Sequence, residues 1–100
     1  MTPRPSHTKK DKNHAPIRDD LRRLGAVVVD VADLGGKCGD LVVSWRGKTI
    51  HVEVKDTGKR DDLTPGELEF MRELEAVGCR LIVAETTEEV ISAFSPFGES

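Results

Sequence analysis

The sequence predicts a single α/β domain on one mixed β-sheet with flanking helices, in the order α-β-β-β-α-β-α. Three observations predict it. At 100 residues, with 37% hydrophobic and 33% charged side chains, the chain suits one domain with one modest core. Apolar residues recur at helical spacing in three separated segments, with short β-branched runs between them. Two neighbouring runs meet at Arg46-Gly47, a hairpin signal, and a helix separates the third run from the fourth. That helix is a crossover, which places the last two strands parallel in one sheet.

The elements run in chain order. The first thirteen residues, MTPRPSHTKKDKN, are polar, basic and proline-bearing; they predict a flexible arm, leaving 14–100 as the folded domain. The first helix is expected over about 15–24. Pro16 suits its first turn, Ile17, Leu21 and Leu24 fall at i, i+4 and i+7, and Gly25 is a natural stop. AVVVDVA (26–32) predicts a strand and DLGGKCG (33–39) a loop with three glycines. Residues 40–46 and 48–55 form the hairpin, and KDTGKRDD (55–62) a polar loop. The second helix has the clearest start: Thr64 as N-cap, Pro65 at N1 and Glu67 at N3 complete a capping box. Its apolar stripe is Phe70, Met71, Leu74 and Val77, ended by Gly78. CRLIVA (79–84) predicts a strand buried on both faces. The last helix, about 87–94, starts from Thr86 with Glu89 as reciprocal cap.

Several function classes fall away. No apolar run approaches the roughly 18 residues of a membrane span, and no signal peptide opens the chain. Cys38 and Cys79 make no disulfide framework and no zinc pattern, so reduced thiols in the cytoplasm of a cell, or of a phage's host, are expected. The net charge of −3 argues against a nucleic-acid partner only until the chain is divided. Residues 1–60 hold 13 Lys/Arg and 8 Asp/Glu, whereas 61–100 hold 2 and 10. Local potential decides where a polyanion docks, and the basic half keeps that partner open.

The basic half also holds an unusual strand. With the hairpin turning on Arg46-Gly47, Trp45 faces Lys48 and Asp40 falls directly opposite Glu53. Opposed side chains stand about 5 Å apart at Cβ. Two free carboxylates repel at that distance; two carboxylates sharing a divalent cation do not. Lys55 lies two residues on, on the same face, while Ile50, Val52 and Val54 form an apolar row on the other. Gly35, Gly36 and Gly39 are expected to leave room for a bulky ligand. The plain alternative is a half-exposed hairpin whose charges only solubilise it. Against that, Val42 and Ser44 share the face, and the charges gather at one end, where two polar loops converge.

Gly39-Asp40, then twelve residues, then Glu53-Val54-Lys55 resembles the PD-(D/E)XK nuclease motif, and the element order resembles that superfamily's restriction-endonuclease-like core. The likeness covers roughly residues 13–94 and looks closest to small archaeal-type and phage Holliday-junction resolvases and minimal VRR-NUC nucleases, in which an LTP-type helix start comes after the motif, as LTPGELEF does here. The resemblance implies that Asp40, Glu53 and the Val54 carbonyl bind Mg²⁺, with Mn²⁺ as substitute. It implies that Lys55 orients the attacking water or stabilises charge on the phosphate, leaving 5′-phosphate ends. Such families carry an acid about eleven residues before the glycine ending helix one. Here that count lands on His14, preceded by Asn13: either would contact the metal or its water, or His14 is a surface helix cap. Lys37, Lys59, Arg60 and the arm residues Arg4, Lys9, Lys10 and Lys12 are candidate DNA-backbone contacts, with Glu67, Glu69, Glu73 and Glu75 facing away from DNA.

The resemblance further implies a homodimer acting on branched DNA in recombination and repair. Leu68, Phe94 and Phe97 are the apolar residues left for the dimer surface. The alternatives are a less selective nuclease acting on flaps, nicks or duplex ends, and a non-catalytic DNA-binding module.

Overall fold

A computed structural model describes residues 11–34 and 39–95. Helix α1 (His14–Arg23) buries Ile17 and Leu21, while Leu24, the third member of the expected stripe, is 49% exposed at the C-cap. Gly25, at φ +102°, turns the chain into strand β1 (Val27–Asp30). A short 3₁₀ turn at Ala32–Leu34, which the sequence did not announce, comes next. Strands β2 (Leu41–Trp45) and β3 (Lys48–Val54) form the expected hairpin. Arg46 and Gly47 both have positive φ, as a two-residue turn of the right twist requires. Arg46 offsets its strained conformation by laying its guanidinium 4.1 Å over the Trp45 ring.

Helix α2 (Pro65–Ala76) starts as the sequence predicts. The Thr64 hydroxyl accepts the Glu67 N–H at 3.2 Å, and the Glu67 carboxylate accepts the Thr64 N–H at 2.9 Å. Strand β4 (Leu81–Ala84) and helix α3 (Thr87–Phe94) complete the chain. The second cap differs from expectation: Thr86 accepts the Glu89 N–H, but the Glu89 carboxylate reaches the Glu85 N–H at 2.6 Å instead of closing a box on Thr86.

The sheet order is β1-β2-β3-β4, antiparallel except for the parallel pair β3–β4. The hairpin register is the predicted one, Leu41 opposite Val52 and Trp45 opposite Lys48. On one face, Val28, Leu41, Val43, Val52, Val54 and Ala84 pack beneath Ile17 and Leu21 of α1 and Val90 and Phe94 of α3. Each fully buried Val, Leu or Phe there stabilises by about 1.5–3 kcal/mol. Phe94, expected as a leftover for a dimer surface, is instead core, its ring edge-on to Trp45 at 5.7 Å. Phe97 lies outside the described residues, and Leu68 is half-buried.

On the other face α2 packs beside β4 and reaches β3 where Phe70 meets His51 edge-on at 5.3 Å. Val27 and Val29, on β1, stay 65% and 53% exposed. β4 is an edge strand, so the expected burial on both faces holds only for Leu81 and Ala84; Ile82 and Val83 are half-buried.

Candidate active site

Asp40 is set by its glycine. Gly39 has φ +71°, and a Cβ there would stand 3.2 Å from the Val52 carbonyl oxygen. The sequence suggested that this glycine clears space for a ligand; it clears space for the β3 backbone. The close approach lets the Asp40 N–H donate to the Val52 oxygen at 2.9 Å, while Asp40 Oδ2 accepts the Val54 N–H at 2.8 Å. Its carboxylate is thereby locked beside the segment Glu53-Val54-Lys55.

Glu53 projects from β3 on the same face and is 4% exposed. Burial, then the charge of Asp40, then hydrogen bonding to Glu67 and Asp40, push its carboxyl up to about 10. Lys55, just past the strand, sits with Nζ 3.9 Å from Glu53 and 3.1 Å from Glu67 Oε1. Burial alone would lower its pKa; the bond to Glu67 and the charges of Glu67 and Glu53 outweigh it and raise it. Lys55 is a held ammonium.

Glu67 is therefore a member of the site that the sequence missed. The expectation placed it among acids facing away from DNA. Instead the oxygen that accepts the Thr64 N–H also accepts the Lys55 ammonium. Burial pushes its carboxyl up, but the Thr64 N–H, Glu53 and Lys55 outweigh this and lower it. The signal was in the capping box: a carboxylate that caps a helix starting beside the strand ends must lie at those ends.

The N-terminal side also differs from the expected pattern. His14 is buried, 3% exposed, with Nε2 2.9 Å from Asp30 Oδ2. It is neither a surface cap nor a partner of Asp40; Arg18 and the Ala32 N–H complete the shell around Asp30. Asn13 donates its side-chain amide to the carbonyls of Lys55 (2.9 Å) and Glu85 (3.0 Å), fastening α1 to the ends of β3 and β4. The acid on this side is Asp11, which the sequence placed in the arm. Burial and the charges of Asp56 and Asp40 raise its carboxyl, against the pull of Lys55. It lies one helical turn upstream of His14, and assigning 1–13 to an arm hid it.

The basic candidates divide. Lys12 and Lys59 are exposed. Arg60 is committed within the chain, bonding Glu89, the Val83 carbonyl at 3.2 Å and Glu85 at 3.5 Å, so it ties the loop after β3 to β4 and α3. Lys9, Lys10 and Lys37 lie outside the described residues.

Among the described residues no group of three or more His, Cys, Asp or Glu forms a ligating cluster. A cation held by Asp40 and Glu53 would complete its sphere with backbone carbonyls and water. That habit belongs to Mg²⁺, which keeps several waters and takes one or two carboxylates, and not to structural Zn²⁺. The donor chemistry fits: hard oxygens, and a buried carboxyl whose ionisation a positive charge would favour. Comparison with family models, curated proteins and solved structures finds no match to this chain, so its own geometry carries the functional argument.

Proposed function

We propose that the chain is a Mg²⁺-dependent, structure-selective DNA endonuclease acting at four-way junctions. The observation that supports this best is Glu53: a carboxyl buried against Asp40 and Glu67, beside an ammonium, at one end of a hairpin. A carboxylate placed so badly for a metal-free protein makes sense as half of a cation site. Asp40 and Glu53, with the Val54 carbonyl, would hold Mg²⁺ or Mn²⁺. Bound there, the ion would supply charge neutralisation at the scissile phosphate and an acidified water.

The chain's own groups do the remaining work. Lys55 offers its ammonium to the phosphate oxygen on which charge develops, where a preorganised donor in a dry site is most effective. Glu67 positions that ammonium through the 3.1 Å contact. Asp40 is held by the Val54 N–H, so it cannot swing away from the phosphate side. Lys12 and Lys59 stand exposed as backbone contacts, and Lys9, Lys10 and Lys37 belong to the same proposal.

A junction needs two symmetric cuts, so the active form is a homodimer. With Phe94 in the core, the uncovered valines of β1 are the surface we assign to the second copy. The site of action is the cytoplasm. Among the described residues no helix is long and apolar enough to cross a membrane.

The test is cleavage of a synthetic four-way junction beside linear duplex and flap substrates, with Mg²⁺ and with EDTA. Paired, Mg²⁺-dependent nicks that vanish in Asp40→Asn and Glu53→Gln support the reading. Cutting of flaps and duplex ends with junctions spared assigns a less selective nuclease. No cleavage of any substrate by folded, Mg²⁺-saturated protein overturns it.

A further inference from the structure

Strand β3 is longer than its parallel neighbour. The ladder to β4 begins at His51 and Leu81, so Lys48, Thr49 and Ile50 extend beyond it. On their other side all three are paired, with Trp45, Ser44 and Val43. Among the described residues nothing pairs with them on the β4 side. A run of three residues at about 3.3 Å each thus presents roughly 10 Å of strand edge.

That edge lies in a groove of about 520 Å³, between Leu74 and Gly78 at the end of α2 and Ser92 and Ala93 at the end of α3. The volume is typical of ligand clefts, which run from about 300 to 1,000 Å³. Ile50 and Ile82 give it an apolar floor, and Lys48 and Arg80, both exposed, stand at its rim, the Lys48 ammonium donating at 3.4 Å to the Ala93 carbonyl across the groove. Among the described residues no acidic side chain lines it. His51, also in the lining, has a buried Nδ1 with no hydrogen-bond partner among the described residues.

We propose that this groove docks an extended acidic segment of another protein, added as a strand beside Lys48–Ile50 in line with β4. Each feature selects one property of the guest. An open strand edge takes a backbone with alternating N–H and C=O groups, the mode of β-augmentation. The apolar floor takes small β-branched side chains at every second position. Lys48 and Arg80, with no acid between them among the described residues, take carboxylates. A nucleic acid would satisfy the cations but not the strand edge or the isoleucine floor. The edge that would take the guest, Lys48–Ile50, lies three to five residues or roughly 10–16 Å along the strand from Glu53, so a guest there leaves the carboxylate site uncovered.

The experiment is an NMR titration of the full chain with an acetylated seven-residue peptide of alternating aspartate and valine. The expected result is saturable amide shifts confined to Lys48–Ile50, Arg80 and Ala93. The same peptide with lysine for aspartate should bind at least fivefold more weakly. The aspartate peptide N-methylated at alternate positions should not bind, since it cannot pair as a strand. The double reversal Lys48→Glu/Arg80→Glu, at two exposed positions, should prefer the lysine peptide.

Four outcomes overturn the proposal: no shifts at millimolar peptide, equal shifts with the lysine or N-methylated peptide, binding of an oligothymidylate there in place of the peptide, or the same shifts on raising protein concentration alone, which would assign the groove to a second copy. The N-methylated control uses the wild-type chain, so the test stands even if the reversal variant fails to fold.

Discussion

Glu53→Gln should stabilise the metal-free protein while abolishing cleavage. A carboxyl with an ordinary value of 4.5 is pushed up to about 10 by burial, by Asp40 and by Glu67, so at pH 7 the folded chain carries it protonated and the unfolded chain carries it ionised. With a raised folded pKa, the stability Glu53 allows is complete below about 4.5 and is lost progressively as pH rises toward 10. From 4.5 to 7, at about 1.4 kcal/mol per pH unit, the loss is about 3 kcal/mol. Glutamine has the shape of the protonated acid and keeps a donor for Asp40 and Glu67, so it escapes that loss. For a chain this size 1 kcal/mol moves the melting temperature by about 4–8 °C. The variant should therefore melt at least 10 °C above wild type at pH 7 in EDTA, and level with it at pH 4. Added Mg²⁺ should raise the wild-type melting temperature and leave the variant's unmoved. Differential scanning calorimetry across pH 4 to 8 reads all three. A variant less stable than wild type at pH 7, or a difference that does not grow with pH, refutes the buried-carboxyl argument.

Asp30 gives the opposite sign. Burial pushes its carboxyl up, but bonds from His14, Arg18 and the Ala32 N–H outweigh this and hold it at about 2. Its stabilisation of about 2 kcal/mol is present above the ordinary value of 3.8 and lost as pH falls toward 2. Acid titration followed by circular dichroism should show that loss in wild type and not in Asp30→Asn. Gly39→Ala should cost about 2 kcal/mol, from a left-handed φ worth about 1 kcal/mol and a contact at 3.2 Å with a backbone oxygen that cannot retreat; a neutral result in urea unfolding would remove the glycine from the account of Asp40. Asn13→Ala loses two amide bonds and should cost about 2 kcal/mol. Asn13→Asp should recover none of it, since a carboxylate cannot donate to two carbonyls; recovery by aspartate in thermal melts would show that the oxygen, not the NH₂, is in use.

Much of the fold was legible because local rules agreed. The β-branched runs, the Arg46-Gly47 turn and the Thr64/Glu67 box each specify a boundary within a few residues. The hairpin register came from turn position alone, and it brought Asp40 to Glu53. What stayed hidden is tertiary. The capping box put the Glu67 carboxylate at the helix start, but only the packing of that start against the end of β3 decides that it also grips Lys55. Asp11 and Asn13 looked like an arm because their partners, Asp56, Lys55 and Glu85, are over forty residues away in sequence. His14 was misplaced for the same reason: its partner Asp30 is on a strand whose pairing decides which way the carboxylate points. The exposure of β1 was equally unreadable, because a valine-rich strand looks alike at the edge and the centre of a sheet.

The asparagine amide has a consequence for the order of events in folding. Its two acceptors lie 42 and 72 residues further along the chain, and they come together only once the crossover has set β3 and β4 side by side. Contacts of that sequence separation close late, because the loop entropy must be overcome before they reward it. The carboxylates depend on the same event, since Glu67 rides on the crossover helix and Asp11 on the segment that Asn13 fastens. A nascent or half-folded chain therefore carries the acids without their arrangement. Catalytic competence, on the proposed function, is acquired in the final step of assembly and is the first property lost when the strand ends loosen.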